Sequence, residues 1–165
     1  WLLIPVFALT EIIRKDCKEG YFKLQQSNYY FITIFIIIFW CITIPLWPPF
    51  FKNIEKLENY ERIFQIVIML FPFYIPYAFQ QIPDNIFIGL GKTKYNLINN
   101  CIINFIYYGI WYIIYKTNTI TFNMTTIIIM FGFGMVTSYI VSILEEKILL
   151  RKEMNRKMEK SNLEK

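Results

Sequence analysis

IFQIVIMLFPFYIPYAFQQIPDNIFIGLGKTKY, residues 63–95, decides how this chain folds. Its first 21 residues, Ile63 to Pro83, carry no charge. At about 1.5 Å rise per residue they make roughly 31 Å of helix, the thickness of a bilayer's hydrocarbon core. Pro72, Pro76 and Pro83 fall inside the run. Each removes a backbone donor and crowds the carbonyl one turn earlier, so a kinked or locally unwound helix is expected here. In lipid such a break survives only against protein or beside a cavity. Asp84 abuts the run. A carboxylate there must face protein, water or a cation, as a contact at the inner mouth or as a cap at headgroup depth.

The same reading extends in both directions. Leu24 to Phe51 is 28 residues without a charge, with Tyr29 and Tyr30 near one edge and Trp47 near the other. Aromatics at both edges suit the two interfacial belts of a spanning helix. Pro45, Pro48 and Pro49 are expected to stop that helix. A polar link, Lys52 to Arg62, precedes the proline-bearing run. Tyr95 to Tyr115 makes a third crossing of 21 residues, Lys116 to Asn118 a short turn, and Thr117 to Leu144 a fourth crossing. Trp1 to Ile13 is apolar but too short to cross, and reads as the end of a longer helix in a chain that is itself a fragment. From Glu145 to Lys165 mixed charges at helical spacing predict a solvated tail. The expected fold is an all-α polytopic membrane bundle. Residues 1–144 form the membrane lobe, with crossings at 24–51, 63–88, 95–115 and 117–144, and 145–165 form the tail.

Composition narrows the classes. At 56% hydrophobic and 19% aromatic the chain exceeds what a soluble domain of 165 residues carries. Its net charge of +5 does not point to nucleic acid, because the basic residues flank apolar runs instead of sharing a face. With the tail in the cytoplasm, 13 Lys and Arg fall on the inner side and 4 on the outer. That asymmetry is what the positive-inside rule expects. There is no histidine, and Cys17, Cys41 and Cys101 are far apart, which argues against a metal centre, a cofactor and histidine catalysis. A membrane enzyme would need a second catalytic group beside Asp84, and none is visible at the same depth.

Several short patterns have two readings. Gly91-Lys92-Thr93 is not a phosphate loop, since Ile86 stands where the first glycine is required. The turn instead uses Gly89 and Gly91 for tight backbone geometry. Gln80 and Gln81 offer neutral oxygen ligands or bridge helices. Asn96, Asn100 and Asn104 recur every four residues and continue through Tyr107 or Tyr108 to Trp111. That stripe reads as a cavity wall or as interhelical hydrogen bonding. Gly134, Ser138 and Ser142 form a small-residue packing seam. Asn123-Met124-Thr125 matches a glycosylation acceptor that lies too close to the membrane for use.

Asp84 to Asn96, with its Gly89-Leu90-Gly91-Lys92-Thr93 core, resembles the loop between the fourth and fifth helices of each half in multidrug and toxic compound extrusion (MATE) transporters. That loop is close to Arg-Gly-x-Gly-Asp-Thr in the family. The order of a helix end, basic loop, helix, outer loop, proline-bearing helix, turn, two helices and basic tail is similar to the family's C-terminal half. Ile88 stands at the usual Arg position and Lys92 at the usual Asp position. Tyr77, in Tyr77-Ala78-Phe79-Gln80, stands where many members carry the carboxylate linked to ion coupling. The resemblance implies one incomplete six-helix lobe of a two-lobe secondary transporter. Such a protein exchanges Na⁺ or H⁺ for drugs, organic cations or amphipathic compounds across a bacterial inner membrane. Its partners would be the bilayer, small-molecule substrates and the N-terminal half. On this reading Gln80, Gln81, Asn100, Asn104, Tyr107 and Trp111 line the lobe and Asp84 contacts the cation. Pro72, Pro76, Pro83, Gly89 and Gly91 supply the hinge. A lipid-linked oligosaccharide flippase of the same superfamily is the neighbouring alternative. A non-transporting assembly subunit is the more distant one, because its spans should lack proline breaks and polar stripes.

Overall fold

The computed structural model describes residues 4–56 and 58–163, with side chains described to residue 152. The described residues contain helices and no strand. They are α1 (Ile4–Glu19), α2 (Phe22–Thr43), α3 (Trp47–Asn53), α4 (Tyr60–Gly89), α5 (Lys94–Cys101), α6 (Tyr108–Lys116) and α7 (Met124–Leu163). Four segments among them are long and apolar enough to cross a membrane: Phe22–Asn53, Tyr60–Gly89, Lys94–Lys116 and Met124–Lys152.

α4 is the central helix. It touches α1, α2, α3, α5 and α7. Its inner stripe steps by four through Ala78, Ile82 and Ile86, which keeps all three on one face. They meet Val6, Leu9, Ile13 and Cys17 of α1, and Phe22, Tyr29, Ile36 and Trp40 of α2. Gly89 brings α1 close, since a Cβ there would lie 2.6 Å from Cys17 Cβ and 3.3 Å from Arg14 Cα.

Four expectations are corrected. Of the kink or local unwinding expected at the prolines, the unwinding is absent, since α4 stays helical through Pro72, Pro76 and Pro83. Nor do Pro45, Pro48 and Pro49 stop the first long span. A single 3₁₀ turn, Ile44–Leu46, carries it into α3, where Pro48 occupies an early position that needs no helical donor. The fourth crossing begins at Met124 and not Thr117, because Asn123 Oδ1 accepts from the Thr126 N–H at 2.9 Å and caps the helix there. Finally, α7 runs past Leu144 without interruption, and Glu145, Glu146 and Leu149 are buried, so the beginning of the charged segment is packed rather than solvated. The tail's side chains beyond residue 152 lie outside the described residues.

Gly89 also differs from its expected role. It is the last residue of α4, and the left-handed position of the turn belongs to Gly91, at φ 67°. The Lys92 N–H donates to the Phe87 carbonyl at 2.7 Å and the Gly91 N–H to Ile88 at 3.0 Å. This paired pattern satisfies the free carbonyls of a helix end. Gly20, at φ 85°, closes α1 in the same manner, with Tyr21 donating to Asp16 at 2.9 Å.

The departure from regular helix lies elsewhere. Ile102–Tyr107 is a π-helix joining α5 to α6 in the third crossing, which contains no proline. One extra residue per turn rotates α6 relative to α5 about the shared axis, and such turns recur at functional sites.

Candidate functional site

The end of the bundle where α1 and α4 finish gathers most of its polar side chains. At its centre is a closed ring of five residues from α4, α5 and α7. Gln80 Nε2 donates to Asp84 Oδ2 at 3.0 Å and to Ser138 Oγ at 2.8 Å. Ser138 Oγ donates to Asn99 Oδ1 at 3.2 Å, and Asn99 Nδ2 donates to Ser142 Oγ at 2.7 Å. Ser142 Oγ returns a bond to Asp84 Oδ1 at 2.8 Å. The ring arises from four-residue spacing on two helices: Gln80 and Asp84 on α4 face Ser138 and Ser142 on α7. Ser138 and Ser142, read as packing residues, are small enough for the close approach and also supply hydroxyls to the ring. Asp84 therefore caps no turn. It is held by neutral partners, and no basic group pairs with it among the described residues.

Beside the ring lies a cavity of about 250 Å³ bounded by α1, α4 and α5. Tyr77, Gln81 and Asp84 line it from one face of α4, with Arg14 opposite on α1 and Asn96 on α5. Arg14 is turned to other partners. Its Nε donates to Asn85 Oδ1 at 2.9 Å and its Nη1 to Glu11 at 3.0 Å. Arg14 and Ile88 also line a second, more open cavity of about 460 Å³, shared with Glu11, Lys15, Lys18 and Gly89. The two residues stand where a basic mouth meets the chamber that holds Asp84.

The predicted site residues separate. Gln81 and Asp84 reach the inner cavity, and Gln80 enters the ring. Asn100 and Asn104 do not line either cavity. Both are exposed, and Asn104 Nδ2 donates to the Asn100 carbonyl at 2.8 Å on their own helix. Tyr107 and Trp111 also lie away from the cavities. Tyr107 Oη donates to the Met130 carbonyl at 2.6 Å, and Trp111 stacks edge-on to Phe122. Pro83 is fully buried inside α4.

Four residues are not picked out by sequence reasoning. Asn99, 3% exposed, is the inward asparagine of α5, one position from Asn100 of the four-residue stripe. Its signal is the pair of serines four residues apart on a neighbouring helix. Arg14 reads in the sequence only as an orientation charge, and Glu145 and Glu146 only as part of the tail. Glu146 accepts from Gln26 at 2.7 Å, whereas Glu145 Oε2 is buried without a hydrogen-bond partner and lies within electrostatic reach of Asp84.

Comparison of the chain with protein-family models, with curated proteins and with solved structures returns no match.

Proposed function

We propose that this chain is one lobe of a two-lobe secondary transporter of the MATE type. It moves drugs, organic cations or amphipathic compounds across the plasma membrane against Na⁺ or H⁺, with its tail in the cytoplasm. The observation that carries the reading is Asp84: a carboxylate within an apolar helix, held by neutral hydrogen bonds and open to a cavity. An acidic side chain at such a place is costly unless it exchanges a cation or proton. Tyr77, Gln81 and Asp84 share one face of α4. The carboxylate thus stands two turns along the helix from the position that carries it in many family members, and the cavity connects the two. The 13-to-4 distribution of basic residues supports the orientation.

The test is dye export from vesicles carrying the full-length protein, driven by an imposed Na⁺ or proton gradient. Asp84→Asn keeps the shape and removes the charge; its oxygen still accepts from Gln80, and its amide reaches Ser142 once that hydroxyl turns to accept. Gradient-driven export should fall at least about tenfold in this variant, with unchanged protein level, as expected when a charge-assisted contact is lost. Export at the wild-type rate by Asp84→Asn would overturn the assignment. The flippase reading is favoured by one observation, the basic mouth at Arg14, Lys15 and Lys18. Movement of a lipid-linked diphosphate sugar in the same vesicles, without dye export, would select it.

A further inference from the structure

The inner cavity presents opposite charges that do not meet. Asp84 lines it from α4 and Arg14 from α1, and no ion pair joins them among the described residues. Each is kept in place by other groups: Asp84 by Gln80 and Ser142, Arg14 by Asn85 and by an ion pair with Glu11 at 3.0 Å. Asp84 has only neutral partners among the described residues, and Arg14, its side chain 37% exposed, uses two of its guanidinium donors on Asn85 and Glu11, so each wall of the cavity of about 250 Å³ keeps charged hydrogen-bonding capacity for a ligand. Asn96 adds an amide whose Oδ1 is buried without a hydrogen-bond partner. The rest of the wall includes Val6, Phe7 and Ile88, which are apolar.

We propose that this chamber binds a small zwitterion with an apolar side chain, of the size of an α-amino acid. Its ammonium group is held by Asp84 and the Asn96 oxygen, its carboxylate by the Arg14 guanidinium, and its side chain by the apolar wall. A lone organic cation would use Asp84 and leave the remaining Arg14 donors without a partner, and a lone anion would do the reverse. Only a dipolar solute uses both walls, and guanidinium is the side chain best matched to a carboxylate. The basic mouth leads to Arg14 first, so the carboxylate end enters towards its partner. This inference rests on the transport reading and narrows its substrate class.

The experiment measures binding on the full-length protein in detergent, by thermal stabilisation. Three probes are used: a pool of apolar α-amino acids, the pool of amines that lack only their carboxylates, and the pool of carboxylic acids that lack only their amino groups. The amino-acid pool should stabilise the protein at concentrations at least about tenfold lower than either of the others, as two charge-assisted contacts against one require. Arg14→Gln should bring the amino acids to the level of the amines, and Asp84→Asn to the level of the acids. Ile88→Trp, which fills the chamber and alters neither charge, should abolish binding of all three, and circular dichroism checks that each variant is helical. Amines binding as tightly as amino acids, with Arg14→Gln without effect, would overturn the zwitterion assignment, as would the absence of stabilisation by any pool. Dye export by the wild type in vesicles would in either case leave the transport reading standing, so the two failures are distinguishable.

Discussion

α4 and the third crossing, α5 through α6, invert what their sequences lead one to expect. α4 contains three prolines and remains helical throughout, whereas the third crossing contains none and passes through a π-helix at Ile102–Tyr107. Their surroundings account for only part of the difference. α4 touches five other helices and Pro83 is fully buried, but Pro72 is exposed, so packing does not explain the continuous helix at every proline. The third crossing touches α7 chiefly along one side and leaves Phe105, Ile106, Ile110 and Ile113 exposed, so its backbone is free to adjust its turn. Proline marks a missing hydrogen bond, and a long helix need not yield there.

The largest effect that would test this contrast concerns the asparagines. Asn99 makes three hydrogen bonds to Ser138 and Ser142, and removing its amide leaves Ser138 and the buried Ser142 short of partners. Asn99→Leu should lower stability by about 2–3 kcal/mol, read as the midpoint of denaturant unfolding in detergent. Asn100→Leu and Asn104→Leu, on the exposed side, should each change it by under about 0.5 kcal/mol. Equal effects would mean that Asn99 is not the asparagine that ties the third crossing to α7.

Glycines offer a smaller and sharper comparison. A Cβ at Gly132 would overlap the Phe73 ring at the contact between α4 and α7, whereas Gly109 in α6 has open space around it. Gly132→Ala should cost about 1–2 kcal/mol through the forced shift of a packed aromatic ring. Gly109→Ala should instead add about 0.5–1 kcal/mol by removing a flexible residue from a helix interior. Thermal unfolding midpoints that move in the same direction would contradict the view that the third crossing is loosely held.

Smaller still is the turn between them. Gly91 has φ 67° with nothing within 4 Å of a Cβ, so the cost of Gly91→Ala is conformational and not steric crowding. It should be about 1 kcal/mol, and Gly91→Asn should recover much of it, because asparagine tolerates this geometry. A loss well above about 3 kcal/mol would show that the turn contributes contacts beyond its own hydrogen bonds.

The hydrophobic lengths are legible without any structure, because a span of a given thickness needs a given number of uncharged residues. That is why the four long segments and the turn at Gly91 stand close to where apolar length and glycine spacing place them. The polar site is legible only in part. Gln80, Gln81 and Asp84 sit at recognisable spacing on one helix, but the four-residue stripe through Asn96, Asn100 and Asn104 does not reveal that Asn99, in the same regular helix as Asn96 and Asn100, is the one turned inward.

By itself, then, the sequence determined an all-helical chain with four segments able to cross a membrane, the ends of those segments rich in basic residues, and the glycine that closes α4. Tertiary structure alone decided that Asp84 closes a ring with two serines of α7, that Arg14 faces its cavity without pairing to it, and that Glu145 and Glu146 are buried. The reason is physical. Apolar length and turn geometry are local properties written residue by residue, whereas the neighbours of a carboxylate come from helices far away in the chain, and their rotation about their own axes is set only when they pack.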